Sequence, residues 1–297
     1  MLLFRKYPNL TVIISCFFWG TYWVPLRYIN DSSNSSVWPL FFSFLLLSLI
    51  FIKQLIKKIL DSLYNRDYYF LLSCLFSAIG MSLYSESLMR GEVATVVIFF
   101  YLAPVWGTIF GKFFLKKKLT LQRVISIIIG LIGLGIILGI DKGIIFPTSM
   151  VEFLALFSGL SWALGMTFFH LSNSTTAIEK TTLTTFLMAF IFLLLCLIPN
   201  GRVVIISKDF NFFSNVYMWI ILFSFFWLLP SFFLSYSSVE VLDPGRINIL
   251  FSFEVAVGFF SAYMFTYEII GMREILGAFC IIFSCIVDIF KINKINY

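Results

Sequence analysis

Apolar stretches of about twenty residues follow one another through almost the whole chain, with only short connectors between them. A bilayer core roughly 30 Å thick takes about 20 apolar residues per helix. Ten such stretches can be marked, with approximate limits Leu10–Tyr28, Trp38–Leu55, Tyr68–Leu88, Val93–Leu115, Leu121–Ile140, Val151–Leu171, Thr181–Ile198, Val216–Val239, Ile247–Phe265 and Ile275–Phe290. Hydrophobic residues make up 60% of the 297 positions and charged residues 12%, too little polar surface for a water-soluble protein of this length. The runs are continuous rather than alternating, which selects membrane helices over a β-barrel. The span after Arg5 and Lys6 is long, rich in Trp and Tyr and without a small-residue cleavage site, so it reads as a retained first helix.

Charge sets an orientation. With the N-terminus inside and ten alternating crossings, 15 of the 21 Lys and Arg residues fall on the cytoplasmic side and 6 outside. The positive-inside rule then places both termini in the cytoplasm. The net charge of +6 therefore belongs to membrane flanks rather than to a nucleic-acid surface. The Lys116–Lys118 run is expected beside anionic headgroups.

The chain also resembles itself. FFLKKKLTLQRVISIIIG aligns with MFTYEIIGMREILGAFCI, pairing Lys117 with Glu268 and Pro104 with Val255 at an offset of 151 residues. Trp19 in FFWGTYW aligns with Trp162 in GLSWALG at an offset of 143. Five spans per half would make the halves cross the membrane in opposite senses, which is the inverted-repeat plan of many secondary transporters. The repeat units are expected at residues 1–143 and 144–297.

FWGTYWVPLR, followed by LAPVWGTIFGKFFLKKKLTLQRVISIIIGLIGLGII, resembles the drug/metabolite transporter superfamily with its paired EamA-type domains. The turn acid of that pattern is lysine at Lys117 in the first half and is retained as Glu268 in the second; Val255 stands where the second half would carry proline. The resemblance implies ten helices around a central cavity, moving small organic solutes by alternating access.

Glu254 is the leading candidate for chemistry. It lies well inside the ninth span, where a charge costs roughly 2.5–3.5 kcal/mol on insertion scales and so should face a cavity or a partner. Leu250, Ile247, Gly258 and Ser261 are expected on the same helix face. Glu254 would bind a proton or a solute's cationic group; the structural alternative is a carboxyl tied to another helix. Glu86, the second candidate for proton coupling, has Arg90 four residues on, so an ion pair is expected, with an outer-mouth role alongside Tyr84 as the alternative. Trp19, Tyr22, Trp23, Tyr84, Tyr101, Trp162, Trp227 and Tyr236 are candidate wall residues for an amphipathic solute or an ammonium group. Packing and interfacial belts compete with that role. Pro25, Pro104 and Pro230 mark candidate hinges within spans. Gly135 and Gly139 form a GxxxG spacing that suits close helix contact, most simply within one subunit.

The five cysteines read as buried, unpaired packing thiols, and His170 as a solvated or capping side chain, so neither a metal nor any other cofactor is expected. Neither a phosphate-binding loop nor a catalytic grouping is present in the sequence, so an ATP-driven pump and an enzyme are both unsupported. The resulting expectation is a multi-pass, monomeric protein of a bacterial cytoplasmic membrane, acting as a secondary transporter of small organic metabolites. Amino acids or related zwitterions are the solutes in view, with export as the direction and a proton as the coupling ion. An uncoupled facilitator or uptake permease is the near alternative; a membrane-embedded enzyme or a non-transporting sensor is the distant one.

Overall fold

Apolar side chains with few breakers give helices throughout, and a computed structural model describes residues 6–33, 37–91, 93–116, 120–138, 147–172, 175–197, 210–239, 241–266 and 271–289. Among them the regular elements are all helical. In chain order they are α1 (Pro8–Gly20), α2 (Trp23–Ser33), α3 (Val37–Ile50), α4 (Ile52–Tyr64), α5 (Tyr68–Arg90), α6 (Val93–Phe100), α7 (Ala103–Leu115), α8 (Leu121–Leu138), α9 (Met150–Phe169), α10 (Ala177–Leu197) and α11 (Phe210–Leu222). A π-helical turn (Phe223–Leu228) then leads into α12 (Leu229–Val239), α13 (Pro244–Phe251), α14 (Phe253–Thr266) and α15 (Met272–Ile289).

Six helical stretches are long and apolar enough to cross a membrane: Pro8–Ser33, Tyr68–Arg90, Met150–Phe169, Ala177–Leu197, Asn215–Val239 and Pro244–Phe265. A seventh is added if the bent pair α3–α4 is one span, and Leu121–Ile137 and Ile275–Ile289 are shorter apolar helices. The chain is thus a multi-pass membrane protein. The second expected span, Trp38–Leu55, ends early at Ile50, and the chain turns by 79° into α4. Lys53, Lys57 and Lys58 follow at helical spacing there and cannot continue into the bilayer core.

Helix starts are set by local chemistry. Asp67 accepts from the Phe70 amide ahead of α5. Ser149 and Glu152 form a reciprocal capping box on α9. Asp243 caps α13, with Pro244 at the first helical position, where its missing N–H costs nothing.

Packing follows a regular scheme. The α5 helix lies along α9, α8 along α15, and α3 along α10; α1 packs on α12 and α14, while α9 packs on α6 and α7. In lipid such contacts depend on small residues that let backbones approach. A Cβ at Gly80 would stand 2.8 Å from the Trp162 nitrogen and 2.9 Å from the Ser158 oxygen, so α5 meets α9 backbone to backbone. On α8 the close approach is at Gly133, whose Cβ would meet the Gly277 oxygen at 2.7 Å. This is an intrachain contact, made two residues before the expected Gly135; Gly139 lies outside the described residues.

Candidate functional site

Four apolar stretches are interrupted at mid-length. The first breaks at Thr21–Tyr22, between α1 and α2; the fourth at Tyr101–Leu102, between α6 and α7; the ninth at Ser252, between α13 and α14; and the eighth passes through the π-helical turn. The expected hinge prolines fall just past such interruptions. Pro25 is the third residue of α2, while Pro104 and Pro230 are the second residues of α7 and α12. Pro25 and Pro104 therefore sit in first helical turns, where no intrahelical bond is lost, whereas Pro230 lies inside the continuous helical stretch Asn215–Val239, where its missing N–H removes one bond.

The breaks at residues 101 and 252 meet. The Tyr101 hydroxyl donates to the Phe251 carbonyl at 3.0 Å, satisfying a backbone acceptor freed by the second break. Glu254 follows that break in the first turn of α14, where the N-terminal dipole favours an acid. Its carboxylate is buried and accepts from the Tyr84 hydroxyl at 3.4 Å. Around it, Trp19, Met81, Tyr84, Phe100, Trp162 and Phe251 enclose a small chamber with room for about one water molecule. A metabolite can enter only if the surrounding helices separate.

The wall is ordered ring against ring. Trp19 and Trp162, the two tryptophans that the proposed sequence alignment pairs, meet edge to face at 6.1 Å, and Phe251 lies 6.0 Å from Trp162. Trp19 is fixed by an indole hydrogen bond to the Ser235 hydroxyl at 3.0 Å. A T-shaped pair of this kind presents one ring face to any guest, which suits an apolar or ammonium group.

The remaining candidates take other positions. Tyr22 pairs with the Ser85 hydroxyl at 2.8 Å and packs behind Trp19. Tyr236 lies behind Trp162, 6.2 Å away ring to ring, and donates to the Thr184 hydroxyl. Trp23 donates to Ser261, which itself donates to the Gly20 carbonyl, so it locks α2 against α14. Trp227 ties the π-helical turn to Thr21 at the first break, at 3.1 Å. Glu86 makes the expected ion pair with Arg90, 2.7 Å apart, and does not line the chamber. The break at Ser252 places Ile247 and Leu250 on a different helix from Glu254; Gly258 and Ser261 share α14 with it and face α1 at Gly20.

Sequence reasoning missed three features. Met81 and Phe100 are ordinary apolar residues with no pattern to mark them as lining. Lys180 is buried, with its ammonium 5.3 Å from the Phe169 ring centre, and nothing in the sequence pattern marked it as a core residue. At the far ends of α8, α13 and α15, Arg123 holds Asp243 at 2.7 Å and Asp288 at 3.6 Å, while Arg246 reaches Asp288 at 3.9 Å. These partners are separated by up to 165 positions in sequence, and no spacing rule links them.

All five cysteines are free. Cys16 and Cys285 donate to the Leu250 and Ile249 carbonyls of α13, whereas Cys196 is exposed and Cys280 partly so, against the expectation that all are buried. Cys196 is turned outward near the end of α10, while Cys280 lies at the edge of the α8 contact, with its Cβ against Gly133. His170 stands at the C-cap of α9, as expected. Among the described residues there is no group of metal-ligating side chains.

No curated protein matches the chain in sequence. A solved crystal structure of another protein, 12% identical, covers 95% of this chain and 96% of that chain with a TM-score of 0.68. At that identity the likeness establishes a shared fold only. Residues 6–139 match the EamA-like transporter family, one of small-molecule transporters, and the match ends there. The resemblance read from FWGTYWVPLR and LAPVWGT thus meets a match to the EamA-like transporter family over residues 6–139, a little under half of the chain.

Proposed function

We propose that this chain is a secondary transporter that exports small organic metabolites, in the class of amino acids and related zwitterions, by alternating access coupled to protons. The observation that carries the reading is Glu254: a buried acid two residues past a helix break, walled by aromatic rings, with a tyrosine from the other broken stretch closing the gap beside it. Discontinuous helices meeting near mid-span are the usual architecture of a secondary transporter's binding site.

The packing scheme supports two like units, residues 1–143 and 144–297, arranged as inverted five-helix repeats. Under the repeat alignment α3 answers α10 and α8 answers α15, and these are the pairs that lie side by side. The α5–α9 contact has its counterpart in α12–α1, and the contact of α9 with α6 and α7 has its counterpart in that of α1 with α14 and α13. The breaks at residues 101 and 252 stand 151 positions apart, the offset of the alignment itself. Both termini then lie on the cytoplasmic side of a bacterial inner membrane, in a chain that works as a monomer.

In this mechanism Glu254 carries a proton in one phase and the ammonium group of the solute in the other, and Trp19 and Trp162 cover the solute's apolar part. The two units rock about the chamber so that it opens to one side at a time. The test is flux of labelled amino acids from proteoliposomes with and without an imposed proton gradient. Wild-type flux should rise with the gradient, and Glu254→Gln should lose that response together with most of its rate. Unchanged rate and unchanged gradient dependence in Glu254→Gln would remove the site.

A further inference from the structure

The 79° turn between α3 and α4 leaves a thirteen-residue helix running across the bundle rather than through it. At 100° per residue its side chains sort into three arcs. Leu55, Ile59 and Ser62 form the side packed on α5 and α10. Ile56, Leu60 and Leu63 continue the apolar arc but are exposed, between 51% and 61%. Lys53 and Lys57 sit at the outer edge of that uncovered strip and are exposed, whereas Lys58, on the opposite flank, lies over the Phe70 ring at 5.4 Å. Where α4 ends, Tyr64, Tyr68 and Tyr69 are all exposed, which is the habit of tyrosines at headgroup level.

We propose that α4 lies in the plane of the membrane interface and binds the headgroups of anionic phospholipids, with Lys53 and Lys57 on the phosphates and Ile56, Leu60 and Leu63 among the upper acyl chains. The occupant follows from complementarity. A half-uncovered apolar strip bordered by two exposed ammonium groups matches a surface that is apolar below and negative above. The long methylene stems of the lysines let their charge reach the phosphates while the strip stays in hydrocarbon.

The experiment follows thermal unfolding of the full chain in nanodiscs of phosphatidylcholine with and without phosphatidylglycerol, for wild type, Lys53→Gln/Lys57→Gln and Lys53→Arg/Lys57→Arg. Phosphatidylglycerol should raise the wild-type midpoint, the glutamine pair should lose at least half of that rise, and the arginine pair should keep it. Inorganic phosphate added to phosphatidylcholine discs should have no such effect, which separates a headgroup from a free anion. A rise fully retained by the glutamine pair, or a rise reproduced by inorganic phosphate alone, overturns the proposal. A midpoint in detergent that follows protein concentration and not lipid charge would assign the strip to a second copy of the chain and overturn it as well.

Discussion

Asp288→Asn is the substitution for which the geometry yields the clearest magnitude. The Asp288 side chain is 4% exposed and stands 3.6 Å from Arg123 Nε and 3.9 Å from Arg246 Nε. At such separations each attraction is about 4 kcal/mol at an effective dielectric near 20. Two effects reduce the net loss. Neutral asparagine no longer bears the cost of a buried charge, and Arg123 keeps its paired contacts to Asp243 at 2.7 and 3.0 Å. What remains is two guanidinium groups in one partly buried cluster with a single carboxylate between them. Removing one partner from a buried pair costs roughly 3–5 kcal/mol, so a loss of about 3 kcal/mol is expected, at the low end because both arginines retain some solvent. Glu86→Gln is the internal comparison. It also breaks an ion pair, but Arg90 is 41% exposed, and the expected loss is about 0.5 kcal/mol or less. Equilibrium unfolding of both variants in mixed micelles measures the difference. A second change, Arg246→Met in the Asp288→Asn background, should recover part of the loss by removing the surplus charge. Equal stability of the two single variants, or no recovery, would refute the reasoning.

Three further outcomes follow. Gly80→Leu should destabilise by about 1–3 kcal/mol by thermal unfolding, because its Cβ meets backbone atoms of α9 that cannot move aside alone. Tyr101→Phe should cost about 1 kcal/mol in the same assay and depress flux, since the Phe251 carbonyl at the second break loses its hydroxyl donor and keeps only the Cys16 thiol at 4.0 Å. Ser149→Ala should cost about 1 kcal/mol through loss of the capping box on α9, with flux per folded molecule unchanged.

Membrane helices were legible because hydropathy is a property of local composition and a bilayer imposes length directly, although among the described residues six stretches, or seven with the bent pair, are long and apolar enough to cross against the ten expected. Glu254 was legible for the same reason: a charge in an apolar run stands out. The helix breaks were not. Tyr101, Leu102 and Ser252 carry no breaker chemistry, and the interruptions arise from how two distant segments satisfy one another's backbone. Pro25 and Pro104 pointed to those regions, but two to four residues too late, since proline tolerates a first turn better than a kink; Pro230 follows the π-helical turn by two residues inside one continuous stretch. The end of the second span was misplaced because Ile52 and Leu55 extend its hydropathy; the Lys53, Lys57 and Lys58 spacing carried the signal for a separate amphipathic helix. Tyr22, Trp23, Trp227 and Tyr236 were grouped with the wall by residue type, although each holds a helix in place one layer behind or beyond it. Buried Lys180 and the Arg123–Asp288 cluster depend on partners brought together by the fold, which a single sequence does not encode locally.

Access to the chamber decides the account most directly. With the five native cysteines replaced, Met81→Cys places one thiol in the chamber wall beside Trp162 and Glu254. Its labelling by a membrane-impermeant maleimide in sealed, oriented proteoliposomes reports which side reaches it. Alternating access predicts modification from either face, each reaction slowed when transported solute is present. A thiol that stays unmodified from both faces during active flux would contradict a pathway through this chamber.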